Sequence, residues 1–169
     1  ELAQGGDRLV DRQPGAFSIT ETFEAVRDIT RPIAEEKHLI VKLNPPATDY
    51  RIGHPRALSR VLLNLTTNAL KFTEQGSVEI IGQATGWTRI EFSVKDTGPG
   101  VRPEMLDNLY QPFRPAAGRK GFHFSGTGLG LTICRRLLRA MGSELKVETE
   151  KDRGTRFYFQ VDLPPAGSV

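Results

Sequence analysis

Three short segments hold the residue types that could do chemistry. Asn64-Leu65-Thr66-Thr67-Asn68-Ala69-Leu70-Lys71-Phe72 offers two carboxamides and a cation. Asp96-Thr97-Gly98-Pro99-Gly100 offers a carboxylate beside a flexible turn, and Gly126-Thr127-Gly128-Leu129-Gly130-Leu131 reads as a glycine loop running into a helix. Together they supply what a magnesium-bound nucleoside triphosphate needs: a metal ligand, a base reader and a phosphate cradle.

Asn64, Asn68 and Lys71 are spaced by four and three, so on a helix they share one face. Asparagine is a mediocre helix former, and a buried carboxamide must find partners. Its oxygen is a hard ligand suited to magnesium, and Lys71, one turn on, could reach phosphate oxygens. A lone Asn is more often a solvated helix residue, and a Lys near a helix end is favoured there anyway.

Asp96 could accept a hydrogen bond from the exocyclic amine of adenine, a contact that rejects guanine, which carries a carbonyl there. An Asp-Thr-Gly triplet also serves aspartic proteases, but they need two facing carboxylates, and no second triplet occurs here. The glycines are neither the dinucleotide fingerprint nor a Walker loop, because the spacing and the following Lys-Ser/Thr are missing. At a helix start, exposed N–H groups bind phosphate through hydrogen bonds and the dipole, and glycine allows close approach. Arg114, Arg119 and Lys120 lie in a breaker-rich stretch, 114–125, expected to be a mobile lid whose cations neutralise the terminal phosphate on closure.

The elements that must position these groups follow from periodicity. Pro14-Gly15 ends a short N-terminal segment, and Phe17–Ile19 alternates like an edge strand. A helix is predicted from Thr20 to about Lys37, with a kink at Pro32, and Leu39–Leu43 and Asp49–Ile52 read as a strand pair around Pro45-Pro46. Pro55 suits the first turn of the next helix, whose apolar stripe is Leu58, Val61, Leu62, Leu65, Ala69 and Phe72. Strands are expected at Ser77–Ala84 and Thr88–Val94, a short helix at Pro103–Leu109 and a last helix at Gly128–Met141 with Ile133, Leu137 and Met141 inward. Glu144–Glu150 and Thr155–Leu163 form a closing hairpin, and Pro164–Val169 is a tail.

Composition bounds the reading. The 169 residues suit one domain with a real core, 38% of them hydrophobic and 25% charged. A net charge of +3 is too small to argue for nucleic acid. Cys134 is the one cysteine, so no internal disulfide forms, and His38, His54 and His123 give no zinc spacing. The opening residues lack the basic flank and apolar core of a signal peptide and read as part of a longer chain.

From about Phe17 to Leu163 the chain resembles the catalytic, ATP-binding domain of bacterial sensor histidine kinases, within the superfamily of gyrase, mismatch-repair and heat-shock chaperone ATPases. Asn64-x-x-x-Asn68-Ala-x-Lys71-Phe72 is similar to the asparagine box. The resemblance implies that Asn68 ligates magnesium with help from Asn64, that Lys71 touches phosphate and that Phe72 lies near adenine. Asp96-x-Gly98-x-Gly100 resembles the first glycine box, with Asp96 reading adenine. Leu109-Tyr110-Gln111-Pro112-Phe113 resembles the phenylalanine box that anchors the lid, placing Tyr110 and Phe113 at the nucleotide. Gly126, Thr127, Gly128, Leu129 and Gly130 resemble the second glycine box, and Gly154-Thr155 the final one, whose Thr supports adenine through water.

The resemblance implies a two-layer α/β sandwich, with a mixed, mostly antiparallel sheet and helices on one face. It implies ATP and Mg2+ as ligands and donation of the terminal phosphate to a histidine on a separate dimerisation domain, with a response regulator downstream. Residues 1–13 would be the end of a dimerisation helix and its linker, 14–165 the catalytic domain and 166–169 a tail. The fragment would be cytoplasmic and monomeric and its parent a homodimer, whether or not that parent is anchored in a membrane. Hydrolysing branches carry a Glu where Asn64 stands, as a base for water; its absence reserves the phosphate for another nucleophile. None of the three histidines has the acceptor context, so the fragment should not phosphorylate itself. His54 stands where many members have Asp, Tyr110 replaces the commoner Phe, and Pro115 stands where many have a basic residue. The alternatives are a degenerate module that senses nucleotide or docks partners without transfer, and a self-sufficient ATPase.

Overall fold

A computed structural model describes residues 13–100 and 124–167, with the backbone alone for 124–130. The elements are β1 (Gly15–Ser18), α1 (Ile19–Glu36), β2 (Ile40–Asn44), β3 (Tyr50–Gly53), α2 (Pro55–Phe72), β4 (Ser77–Ala84), β5 (Arg89–Asp96), α3 (Phe124–Ala140), β6 (Lys146–Glu150) and β7 (Gly154–Asp162). Five strands form one sheet in the order β2-β4-β5-β7-β6, and β1 and β3 form a separate two-stranded sheet. Within the larger sheet β2–β4 is parallel and the other three pairings are antiparallel. The expected two-layer α/β architecture is therefore present.

The core fills the space between the sheet and the helices. Ile80, Ile90, Phe92 and Phe159 from the sheet meet Phe23, Leu62, Leu65 and Leu137 from the helices, all essentially unexposed. Phe92 stacks on Phe159 at 5.5 Å between ring centroids and receives the edge of Phe23 at 6.0 Å, geometries that add to simple burial. On α3 the fully buried positions are Leu131, Cys134, Leu137 and Leu138, whereas Ile133 and Met141 are only partly buried. The opposite face of the sheet is polar, with Arg156 lying over the Tyr158 ring and donating to the Ser93 hydroxyl at 2.6 Å.

Three local expectations are corrected. Ile19 opens α1 and does not extend β1, because Ser18 caps the helix: its hydroxyl accepts from the Glu21 N–H at 3.0 Å. Asp49 reinforces this start, accepting from the Ser18 hydroxyl at 2.6 Å and the Thr20 N–H at 2.7 Å. Partial burial alone would raise the Asp49 carboxyl, but the hydrogen bonds from Ser18, Thr20 and Ile19 outweigh it and hold the carboxyl below its ordinary value.

Second, β2 and β3 do not pair with each other. β2 runs parallel to β4, with Ile40 opposite Ser77, and β3 runs antiparallel to β1, with Gly53 opposite Gly15. Pro45-Pro46 lacks the residues that take positive φ in tight hairpin turns and has no N–H to donate to a ladder. Third, α3 begins at Phe124, four residues before the predicted Gly128, so Gly126 lies in its first turn and not in a loop before it. Helix propagates backwards from the packed stretch around Leu131, although each glycine costs about 1 kcal/mol relative to Ala. The predicted helix at 103–109, the rest of the expected lid and residues 1–12 lie outside the described residues. The tail is tied down as far as Ala166, whose N–H donates to the Tyr50 carbonyl at 3.0 Å.

One long-range clamp fixes the end of α2. Lys37, just past α1, donates from Nζ to the Leu70 carbonyl at 2.6 Å and the Lys71 carbonyl at 3.1 Å. These are among the carbonyls a helix leaves unpaired at its C-terminus, where positive charge is also favoured by the dipole. Lys37→Met should therefore lower stability by about 1–2 kcal/mol, read from urea unfolding.

Candidate functional site

The site is built where the C-terminal end of α2 meets the ends of β5 and β7. β5 extends two residues beyond the predicted Val94, making Asp96 its last residue. Asp96 is 6% exposed, and one of its oxygens, Oδ1, accepts from the Gly98 N–H at 2.9 Å and the Thr155 N–H at 3.3 Å. The other oxygen is not engaged by any backbone amide of the described residues. Thr73, one residue past α2, is fully buried beside this carboxylate; its hydroxyl has no hydrogen bond of good geometry but helps favour the charge.

Burial is the largest influence on Asp96 and raises its carboxyl above the ordinary value; the bonds from Gly98, Thr155 and Thr73 only partly offset it. The folded protein therefore binds the Asp96 proton more tightly than the unfolded chain does. Stability is then lost as pH rises from the ordinary carboxyl value of 3.8 through the raised one.

Glycine is required at this junction. Gly154 has φ +122°, and a Cβ there would collide with the Asp96 carbonyl. Gly98 has its own neighbours close by: a Cβ would lie 3.1 Å from Asp96 Oδ1, 3.1 Å from the Phe72 carbonyl and 3.2 Å from Thr73 Oγ1. Gly100 has φ +86° and is pressed against the Glu150 carbonyl. The close approaches at Gly98 and Gly154 join α2, β5 and β7.

On α2, Asn68 is 6% exposed and its Nδ2 has no partner among the described residues. A buried amide in that condition fits a ligand supplying acceptor oxygens, such as a phosphate, with the carboxamide oxygen left for a cation. Asn64 is half-buried one turn earlier, Lys71 is exposed in the last turn and Phe72 is the half-buried last residue. The Asn64 turn faces α3: wholly buried Cys134 donates to the Val61 carbonyl at 3.7 Å. Burial pushes the Cys134 thiol up to about 12, while Asn64 and Arg60 pull the other way. It is a protonated core residue.

The structure thus brings Asp96, Gly98, Thr155 and the end of α2 together, and sets α2 against α3. Among the described residues it records no side-chain hydrogen bond or ion pair for exposed Lys71. Tyr110, Phe113 and the lid cations lie outside the described residues, as do the side chains of Thr127 and Leu129. A cavity of about 430 Å³ shares the Asp96, Gly154 and Thr155 wall, but its other lining includes Glu148, Glu150 and Arg156 from the open side of the sheet. Thr73 and Lys37 were missed in the sequence. Thr73 directly follows the asparagine segment and could have been found; Lys37 is remote and left no signal.

Residues 53–165 match the family described as histidine kinase-, DNA gyrase B- and HSP90-like ATPases. The chain belongs to this family. It is 34% identical over 168 residues to the sensor histidine kinase AruS of Pseudomonas aeruginosa, covering 90% of this chain and 17% of that protein. It is 31% identical over 166 residues to the signal transduction histidine-protein kinase BarA of Escherichia coli, covering 95% of this chain and 18% of that protein. The chain thus spans under a fifth of the length of these relatives. The crystal structure of full-length ShkA in complex with AMPPNP superposes with a TM-score of 0.81 at 29% identity, covering 99% of this chain and 35% of that one. Its fold is that of the histidine kinase-type ATPase domain. Among the described residues no helix is long and apolar enough to cross a membrane.

Two substitutions test the junction. Asp96→Asn keeps an oxygen for the Gly98 and Thr155 amides but removes the buried charge. Its melting temperature at neutral pH should equal or exceed that of the unsubstituted protein, its stability should not fall across the Asp96 titration, and affinity for a non-hydrolysable ATP analogue should drop by about 1–3 kcal/mol, read by calorimetry. Gly154→Ala should destabilise by about 2–3 kcal/mol from positive φ and overpacking together, measured by thermal unfolding.

Proposed function

We propose that this domain holds Mg-ATP so that a histidine imidazole on a separate dimerisation domain attacks the terminal phosphate. The observation that carries this is the pair on α2: a buried Asn68 whose Nδ2 has no partner among the described residues, and one turn before it an Asn64 that cannot take a proton from water. A carboxamide is no general base, so the site positions phosphate without activating its commonest competitor.

Asp96 accepts from the adenine amine, and its charge is kept available by the Gly98 and Thr155 amides. Thr155, whose hydroxyl is paired with that of Thr149 at 3.0 Å, lines the same end. Asn68, with Asn64, would hold the magnesium ion, which when bound neutralises charge on the phosphates. Lys71, exposed at the end of α2, supplies a cation toward them. Phe72, Gly100, Tyr110 and Phe113 flank the nucleotide, and the first turn of α3, through Gly126 and Thr127, presents backbone N–H groups to phosphate, with Gly128, Leu129 and Gly130 in the turn that follows. Most of the rate would come from positioning and charge neutralisation. The downstream partner in this reading is a response regulator.

The reading is tested by mixing the domain with a separately produced dimerisation domain and radiolabelled ATP. Labelled histidine should form in trans and depend on magnesium, while the domain alone should release phosphate at a rate near background. Analogue binding without transfer would favour a nucleotide-sensing module. Steady phosphate release by the domain alone would favour a self-sufficient ATPase.

A further inference from the structure

We propose that Leu9-Val10, just upstream of the described chain, docks into an apolar pocket at the end of α2 and α3 remote from the nucleotide-binding residues. The pocket encloses about 300 Å³. Its floor is buried Leu58, Val161 and Leu163, with half-buried Met141 and His54 at the sides. Pro14, the point where the chain enters the domain, forms part of its rim.

The position of Pro14 decides the occupant. Any chain leaving Pro14 toward the N-terminus starts at the mouth of the pocket. Val10 is four residues upstream, a reach of at most about 14 Å. Between Gly5 and Gln13, Leu9-Val10 is the one apolar pair, and it is flanked by Asp7-Arg8 and Asp11-Arg12. The pocket has matching polar groups at its edge: exposed Asp162 can face an arginine, and His54, whose side chain makes no capping bond to α2, can face an aspartate. Met141, unbranched and adaptable, can repack around an incoming aliphatic side chain.

The location gives docking a consequence. The pocket is built from the first turn of α2 and the last turn of α3, the helices that carry Asn68 and the glycines nearer their other ends. A docked segment would hold whatever precedes it in a fixed orientation to the nucleotide-binding residues. Nothing in this inference requires nucleotide, so its failure would leave the proposed function untouched.

The test uses the whole 169-residue chain and its Leu9→Ala/Val10→Ala variant. Met141 and Met105 are the two methionines, so Met141 can be followed by its 13C methyl resonance. The double substitution should shift the Met141 resonance and make trypsin cleave after Arg8 and Arg12 about tenfold faster, as for a segment released from local protection. Met141→Asp should speed the same cleavages, with no further gain in the triple variant. An unmoved Met141 signal, or cleavage equally fast in all forms, would overturn the proposal. So would a shift from dimer to monomer on sedimentation with Met141 unmoved, which would assign the pair to self-association.

Discussion

One carboxylate oxygen, Asp96 Oδ1, ties together the parts of the chain that the site needs. It receives the Gly98 amide from its own turn and the Thr155 amide from a strand 59 residues away. Gly98 in turn rests against the Phe72 carbonyl at the end of α2. The pairings of β5 with β4 and β7 end at this point, with Val78 opposite Asp96 and Lys95 opposite Arg156. The group that would read the base is thus also the group that holds the turn, the strand and the helix end in register. A buried carboxylate is a costly choice for a structural junction, and the proposed role of its second oxygen in reading the base would account for it.

The surrounding sequence follows from that choice. Gly154 and Gly98 are small because backbone approaches Asp96 from two sides, and Gly76 takes φ +113° against the Thr97 hydroxyl for the same reason of space. Lys37 secures the last carbonyls of α2, so the residues that follow them, Phe72 and Thr73, arrive beside Asp96 at a fixed height. Arg51 does similar work at the other end of the domain. Almost wholly buried, its guanidinium donates to the Leu163 carbonyl at 3.0 Å and the Trp87 carbonyl at 3.2 Å, joining β3, the β4–β5 turn and the end of β7.

How much of this was legible depended on the range of the interactions involved. The stripe Leu58, Val61, Leu62, Leu65 and Ala69 is buried as its spacing predicts, because helix periodicity is a local property. Ser18 and Glu21 carried a capping signal that the apparent alternation of Phe17–Ile19 obscured. The partners of β2 and β3 were not legible, since strand pairing is decided by distant residues and the two prolines only excluded the nearest choice. The start of α3 was misplaced because glycine reads as punctuation in sequence, yet its backbone enters a helix without steric penalty when the rest is anchored. Asp96 was identified by type and neighbours; its bond to Thr155 and its raised carboxyl depend on a strand end that only the fold supplies.

The parallel pairing of β2 with β4 has a consequence for assembly. Its neighbour β4–β5 closes through a short turn, whereas Ile40 must find Ser77 across the whole of β3 and α2. Chain entropy makes such a closure slow until the intervening segment has condensed. The Ile40 amide, donating to the Gly76 carbonyl at 3.4 Å, then fastens this edge of the sheet beside the turn that follows α2. The end of α2 proposed to serve the nucleotide would thus be sealed among the late steps of folding, leaving a nascent chain with a formed hairpin and an unfinished pocket.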